Sequence, residues 1–134
     1  WGVYKELYTP ENWERRNTEL AEDHEGYKIW PELNTEQSDL YVKKSRFSAF
    51  ISGSSNIVKE LSSYNIDTLL ISGVATNVCC EATARDAMML NYRTIMVMDG
   101  LAAMTLDYHE NALKALYGMF VDVQNADEIC EKLL

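Results

Sequence analysis

From about residue 39 onward, the hydrophobic positions of this chain predict alternating strands and helices. Continuous apolar runs predict buried strands at Ile66–Ser72, Arg93–Met98 and Val121–Val123, and a shorter strand at Asp39–Val42. Helical spacing predicts helices at Ser55–Tyr64, Asn77–Leu90 and Asn125–Leu134, and another, capped by Thr105 or Asp107, that ends at Tyr117. Continuously apolar strands separated by helices are typical of a parallel sheet that helices cover on both faces.

The first 38 residues are polar and acidic, without a convincing buried strand. Thr9, Pro10 and Glu11 predict a helix start, because a threonine hydroxyl caps exposed N–H groups and proline fits the first turn. Residues 27–38 contain Pro31 and short polar side chains, which favour a loop. We therefore expect a single partial domain over residues 1–134, with a polar, lid-like insertion at 1–38 before an α/β core at 39–134.

Composition narrows the class of partner. The 134 residues carry 12 basic and 21 acidic side chains, a net charge of −9, which argues against nucleic acid or an anionic membrane surface as a partner. An apolar content of 47% suffices for a core, but no run approaches the ~20 residues of a membrane span. We expect a protein without a membrane partner.

The cysteines and histidines suggest little chemistry by their spacing alone. Cys79, Cys80 and Cys130 are odd in number and without paired spacing, which favours a reducing compartment, by default the cytoplasm, over a disulfide framework. No Cys-x-x-Cys or His-x-His motif accompanies them, so they do not predict a zinc site. His24 and His109 lie in polar stretches, and we predict both at the surface.

Cys79 is the strongest candidate nucleophile. It follows a predicted strand, a turn at Gly73 and a helix start that Thr76 or Asn77 could cap. In a first helical turn, unpaired N–H groups favour a thiolate and could stabilise an oxyanion. The alternative is that Cys79 is merely a small buried hydrophobic residue. Cys80, one position on, points about 100° away, and we predict that it packs against the sheet.

A second polar segment follows the predicted strand at Asp39–Val42. A lysine such as Lys44, if placed beside a cysteine thiolate, would stabilise the anion. Arg46 could hold a substrate carboxylate through its planar guanidinium. The alternative for both is ordinary solvated charge. Because active sites of parallel sheets lie where strands end and helices begin, this segment and the Cys79 turn are expected to meet.

These segments together resemble a known family. Lys44-Ser-Arg-Phe-Ser-Ala-Phe50 and Gly73-Val-Ala-Thr-Asn-Val-Cys-Cys-Glu-Ala-Thr-Ala-Arg-Asp-Ala87 resemble the two signature blocks of isochorismatase-like cysteine hydrolases. A third match is Asp99-Gly-Leu-Ala-Ala103, with His109 in the next helix. The resemblance implies a doubly wound, three-layer α/β fold and an Asp–Lys–Cys triad in which Lys44 is the lysine and Cys79 the nucleophile.

The resemblance also implies the surroundings of the nucleophile. A non-proline cis peptide maps onto Val74–Ala75, where it would aim N–H groups near Ala75 and Cys79 into an oxyanion hole. Arg46, Phe47 and Asn77 fall at positions expected to contact substrate. Arg85 and Asp86 belong to the same block, and we interpret both as structural.

The resemblance fails at the triad's aspartate. In the family this residue ends the first, central strand, in a segment like Val-Ile-Asp-Met-Gln, and no segment here matches it. Asp39 and Asp67 lie at the wrong places. We expect the missing strand and its aspartate on a companion N-terminal fragment; a naturally short, inactive protein is the alternative.

The implied reaction is hydrolysis of a C–N bond through an acyl-enzyme at Cys79. The segment with Trp13, Arg15 and Arg16 resembles the insertion of ureidoacrylate and biuret amidohydrolases, so we expect a small amide, ureido or carbamoyl substrate, held through its carboxylate by Arg46 or an arginine of this segment. Alternatives are an isochorismatase or nicotinamidase-type hydrolase, and an inactive binding or regulatory homologue. A thiol redox protein using Cys79 and Cys80 is disfavoured, because vicinal cysteines strain a disulfide.

Two further expectations concern ligands and assembly. We expect no cofactor and no metal, because the Asp/His cluster that gives nicotinamidases a metal site is not visible. The family's usual assembly implies a homo-oligomer. The apolar patches Met88–Leu90 and Tyr117–Phe120 would suit an interface, but we predict them in the core.

Overall fold

A computed structural model describes residues 1–133, which divide into two compact units, residues 1–40 and the chain from residue 41 onward. The first unit contains two helices, α1 at Tyr4–Leu7 and α2 at Pro10–Glu19, and a 3-10 turn at Glu25–Tyr27. The Thr9 hydroxyl accepts a hydrogen bond from the Asn12 N–H, so the predicted cap before Pro10 is confirmed. None of the residues in these helices is buried.

The second unit is built on a parallel sheet. Its strands are β1 (Thr68–Val74), β2 (Arg93–Ala102) and β3 (Asp122–Gln124), paired in the order β1-β2-β3. The helices of this unit are α3 (Ile57–Ser63), α4 (Glu81–Met89), α5 (Leu106–Leu116) and α6 (Ala126–Leu133), and a π-helical turn at Thr76–Cys80 precedes α4. The predicted α/β class, a parallel sheet with helices on both sides, is confirmed.

The core lies between the sheet and the helices that follow β1 and β2. The largest fully buried apolar side chains are Met96 on β2 and Leu116 on α5, which share a cluster with Ala84 of α4. Ala87, one turn further along α4, packs in a second cluster with Ala49 and Phe50. Helix α4 therefore joins the sheet core to the segment after Lys44.

One strand prediction was wrong, and another ended too early. Residues 39–42 form no strand, and Leu40 and Tyr41 are exposed, because an extended segment becomes a strand only where another strand pairs with it. Strand β2 does not end at Met98 but continues to Ala102, where the register with β1 shifts between Ile71 and Gly73. That irregularity lies where the strand passes through Asp99 and Gly100.

The prediction that both apolar patches lie in the core was only partly right: Phe120 packs against the core cluster, whereas four other side chains of these patches are exposed. Met89, Leu90, Tyr117 and Met119 are each at least half exposed. Met89 ends α4 and Leu90 follows it, whereas Tyr117 and Met119 follow α5, so all four lie at or beside the connections that lead into the next strands. Chain reversals of this kind run over the surface, which explains why apolar composition alone did not bury them.

Candidate active site

The turn after β1 carries Cys79. Gly73 has φ +107°, a backbone conformation that residues other than glycine rarely adopt. The peptide bond between Val74 and Ala75 is cis. The Ala75 carbonyl then accepts hydrogen bonds from the N–H groups of Val78 and Cys80, at 3.1 and 3.2 Å. The second bond spans five residues and makes the turn π-helical.

The helix start differs from the predicted one. Ala75 occupies the N-cap position, and neither Thr76 nor Asn77 caps the turn through its side chain, so that prediction was wrong. The Thr76 hydroxyl is fully buried and bonds instead to the imidazole of His109 on α5. Asn77 and Cys79 are both half-buried.

Cys80 provides the comparison within the same turn. It is only 6% exposed, belongs to the core cluster, and its thiol donates a long bond to the Ser72 carbonyl, 3.9 Å from Sγ. Burial, together with a smaller effect of the neighbouring Cys79, raises the pKa of Cys80 to about 11. The prediction that Cys80 packs as a hydrophobic residue is therefore confirmed, and its thiol stays protonated at neutral pH.

Lys44 is exposed, and its positive charge partly offsets the rise in the pKa of Cys80, so its ammonium group lies within electrostatic range of that sulfur. Lys44 Nζ donates to the carbonyls of Arg46 and Phe47 at 3.0 and 3.2 Å, which curls the segment around the ammonium group. Within residues 1–133, Lys44 forms no ion pair with a carboxylate.

Serine hydroxyls fold the rest of the Lys44 segment. Ser54 Oγ donates to the Ser48 carbonyl at 2.6 Å, and Ser55 Oγ donates to the Ala49 carbonyl at 2.7 Å. Ser48 and Ser54 are both buried. Because buried hydroxyls and carbonyls must find partners, this network fixes the path of the chain after Lys44.

The predicted substrate contacts lie at the outer side of this segment. Phe47 is 37% exposed, and the Arg46 guanidinium donates to the Ser45 carbonyl at 2.8 Å. Val74, at the cis peptide, is 72% exposed. The Arg85 guanidinium pairs with Glu81 at 2.8 Å and stacks on the ring of Phe120, in agreement with a structural role.

Sequence reasoning missed two residues that hold the site together. His109 was predicted at the surface, but it is half-buried and its Nδ1 lies 2.9 Å from Thr76 Oγ1. Thr83 on α4 accepts a hydrogen bond from the Ala49 N–H. Both bonds join residues more than thirty positions apart. For His109 the family resemblance was the available signal, because its block already placed the histidine in the helix after Asp99.

Neither a metal centre nor a membrane helix is found in the described part of the chain. Residues 1–133 contain no group of three or more His, Cys, Asp or Glu side chains placed to hold a metal ion. None of their helices combines the length and the apolar character needed to cross a bilayer. The chemistry that the geometry offers is that of a thiol, an ammonium group and the backbone of a tight turn.

Comparison with known proteins agrees with this geometry. A ureidoacrylate amidohydrolase, RutB of Serratia proteamaculans, is 32% identical over 117 residues, covering 85% of this chain and 46% of that protein. The crystal structure of an isochorismatase-like hydrolase from Alkaliphilus metalliredigens is 33% identical with a TM-score of 0.76, covering 81% of this chain and 59% of that one. A nicotinamidase structure from Staphylococcus aureus is 26% identical with a TM-score of 0.57, covering 62% and 53%.

The match to the family itself extends over most of the chain. The chain spans about half the length of the curated relatives it matches. The profile of the isochorismatase domain matches residues 4–128. This chain belongs to the isochorismatase family.

Proposed function

We propose that this protein is a cysteine-dependent amidohydrolase that cleaves the C–N bond of a small amide, ureido or carbamoyl compound, with Cys79 as nucleophile. The observation that carries the proposal is the contrast between two adjacent cysteines of one turn. Cys79 is half-buried and not part of the core cluster, whereas Cys80 is buried and protonated. Amidohydrolases and a nicotinamidase among the related proteins support C–N cleavage as the reaction class.

The proposed reaction has two steps. The Cys79 thiolate attacks the substrate carbonyl carbon, the C–N bond breaks, and the leaving nitrogen takes up a proton as a thioester forms. Water then attacks the thioester, giving the free acid and returning the thiol. Lys44 stabilises the thiolate through its positive charge. The backbone N–H groups near Ala75 and Cys79 stabilise the negative oxygen of each tetrahedral intermediate.

The proton transfers need a group that we assign to a companion strand. Strand β1 is an edge of the sheet, and its backbone pairs only with β2 among the described residues. Leu70, in the middle of β1, is 47% exposed, and Val74, at its carboxyl end, is 72% exposed. We propose that a further parallel strand pairs with this edge and ends in an aspartate beside Cys79, where that carboxyl group acts as general acid and base.

The residues at the rim of the site suggest the shape of the substrate. Arg46 can hold a carboxylate, because its guanidinium presents paired donors to a planar anion. Phe47 offers a partly exposed apolar surface next to it, and Asn77 offers an amide that both donates and accepts. We therefore favour a substrate with a carboxylate at one end and an amide or ureido group at the other.

Assembly is a separate part of the proposal. Met89, Tyr117 and Met119 are 63%, 64% and 74% exposed. Large apolar side chains of this kind often mark contacts between copies of a chain. We propose a homo-oligomer that uses this surface. Sedimentation of the purified protein tests it: a monomer at micromolar concentration would contradict the assignment.

A substrate panel tests the proposed activity. Purified protein that includes the companion strand is incubated with ureido acids, carbamoylated amino acids, simple amides and nicotinamide, and released ammonia or amine is measured. We expect release from at least one ureido or amide compound, and none with Cys79→Ala. No release from any compound of the panel, or equal release by Cys79→Ala, would contradict the proposal.

A further inference from the structure

The hydrogen bond between Thr76 and His109 connects the turn after β1 to helix α5, which follows β2. Thr76 begins the π-helical turn after β1, and His109 lies in the first turns of α5, shortly after β2 ends. Thr76 Oγ1 and His109 Nδ1 are 2.9 Å apart, and the donor depends on the tautomer of the imidazole. The loop that carries Cys79 is therefore tied sideways to the next helix.

Thr76 has little freedom to change its side-chain conformation. The Thr76 side chain is fully buried, and a β-branched residue has few favourable rotamers. A buried hydroxyl that loses its partner carries a desolvation cost, so it must either rotate or draw in water. Either adjustment would disturb the backbone of the residue that begins the turn.

The turn is sensitive to such a disturbance because it is π-helical. It holds one residue more than an α-helical turn, through the bond from the Cys80 N–H to the Ala75 carbonyl. A change of one residue in helical register rotates a side chain by about 100°. Cys79 is the next-to-last residue of this turn, so the direction of its thiol depends on the wide turn being kept.

Helix α5 is a suitable anchor for this purpose. Its own start is capped by the Thr105 hydroxyl, which accepts from the Tyr108 N–H at 3.2 Å. Ala112, Leu113 and Leu116 bury its inner side, the last two in the cluster that also contains Cys80. The imidazole is therefore carried by an element whose position the core fixes.

We propose that His109 is a positioning residue for the nucleophile: by holding the buried Thr76 hydroxyl, it keeps the π-helical turn in the geometry that presents the Cys79 thiol. This inference rests on the proposed role of Cys79. His109 itself does not touch the substrate in this mechanism, and its effect passes through Thr76.

The test measures the alkylation rate of Cys79 in the purified protein with iodoacetamide, followed by peptide mass spectrometry. Cys130, an exposed thiol on α6, is the internal reference in every sample. We expect His109→Leu and Thr76→Val to slow alkylation of Cys79 about tenfold or more relative to Cys130. We expect His109→Asn to return most of the rate, because its amide branches at the same carbon as Nδ1 and can both donate and accept.

Controls separate positioning from general loss of structure. Asn111→Leu makes a comparable polar-to-leucine change at an exposed position of the same helix and should leave the Cys79 rate unchanged. The double variant of Thr76→Val and His109→Leu should be no slower than either single variant, since both remove one bond. Circular dichroism and melting temperature monitor folding, and if His109→Leu does not fold, Thr76→Ser against Thr76→Val makes the same comparison.

The outcomes distinguish this inference from the proposed function. If wild-type Cys79 reacted no faster than Cys130, the assignment of the nucleophile would fail. If wild-type Cys79 reacted fast and folded His109→Leu reacted equally fast, only the positioning role would be overturned. The positioning role would also be overturned if His109→Asn were as slow as His109→Leu, because the ring would then act by filling space.

Discussion

The Ala49 N–H donates a hydrogen bond to Thr83 Oγ1, 3.2 Å away, across 34 positions of sequence. Ala49 lies in the segment after Lys44, and Thr83 lies on the helix that follows Cys79. Ala49 is only 8% exposed. One bond to a buried main-chain group thus ties the chain that carries the ammonium group to the helix next to the thiol.

Replacing Thr83 by valine removes that acceptor while keeping the shape of the side chain. The Ala49 N–H would remain buried without a partner, so we expect the free energy of unfolding to fall by about 1–3 kcal/mol. Urea denaturation monitored by circular dichroism measures the change. Thr83→Ser keeps the hydroxyl, so its free energy of unfolding should fall by less. Equal stability of Thr83→Val and the wild type would show that the bond contributes nothing net.

The role of Lys44 can be tested against its neighbour in the sequence. We expect Lys44→Met to slow alkylation of Cys79 by iodoacetamide at neutral pH about tenfold, because a positive charge near a thiol favours the reactive thiolate. Lys43→Met removes the same charge one position away and is the matched control. Equal rates for the two variants would mean that net charge, and not the place of Lys44, governs the reaction.

The two adjacent cysteines should respond to substitution in opposite ways. Cys79→Ala is expected to reduce turnover at least about a thousandfold, because the covalent step is lost, while changing the melting temperature little. Cys80→Ala should instead retain turnover and lose about 1 kcal/mol of stability, because it removes a buried side chain from the core cluster. Turnover rates and thermal unfolding of both variants measure these effects, and equal losses of turnover would contradict the assignment.

The buried thiol of Cys80 also predicts how stability depends on alkaline pH. Burial raises the pKa of Cys80 from an ordinary 9.0 to about 11, so the folded state favours the neutral thiol. This stabilisation is present in full below pH 9 and is lost as the pH rises through 11. We expect the free energy of unfolding to fall progressively over that range, because the folded state must then ionise a buried thiol.

The control for this effect is Cys80→Ala, which has no thiol to ionise. The stability advantage of the wild type over this variant should shrink as the pH rises from 9 to 11. Denaturant titrations at several pH values measure the difference. Parallel pH profiles for the two proteins would show that Cys80 ionises equally easily in the folded and unfolded states.

Strands of the sheet could be predicted from the sequence where a continuous apolar run marks them. The predicted strand at Arg93–Met98 begins where β2 begins, and Ile66–Ser72 overlaps β1 by five residues, because both are continuous apolar runs next to helices. The segment at Asp39–Val42 carries the same kind of pattern but has no paired strand. A strand forms only where another strand pairs with it, and a local sequence pattern does not contain that information.

The candidate site likewise contains residues that the sequence predicts and residues that only the folded structure identifies. Cys79 and Lys44 could be selected from residue type, order and position after predicted strands. The roles of Thr83 and His109 depend on hydrogen bonds across 34 and 33 positions, so they emerge only once the chain is folded. Thr76 illustrates the reason: its residue type favoured a local cap, but burial against α5 gave its hydroxyl a different partner.

The most direct test of Cys79 as the nucleophile is to trap the covalent intermediate on its sulfur. A substrate from the panel that supports turnover is mixed with the protein, the reaction is quenched in acid during steady state, and the protein is digested and mapped by mass spectrometry. We expect the peptide containing Cys79 to gain the mass of the acyl group, and Cys79→Ala to show neither the adduct nor turnover. Turnover that continues in Cys79→Ala, with no adduct on the wild-type peptide, would contradict the proposed mechanism.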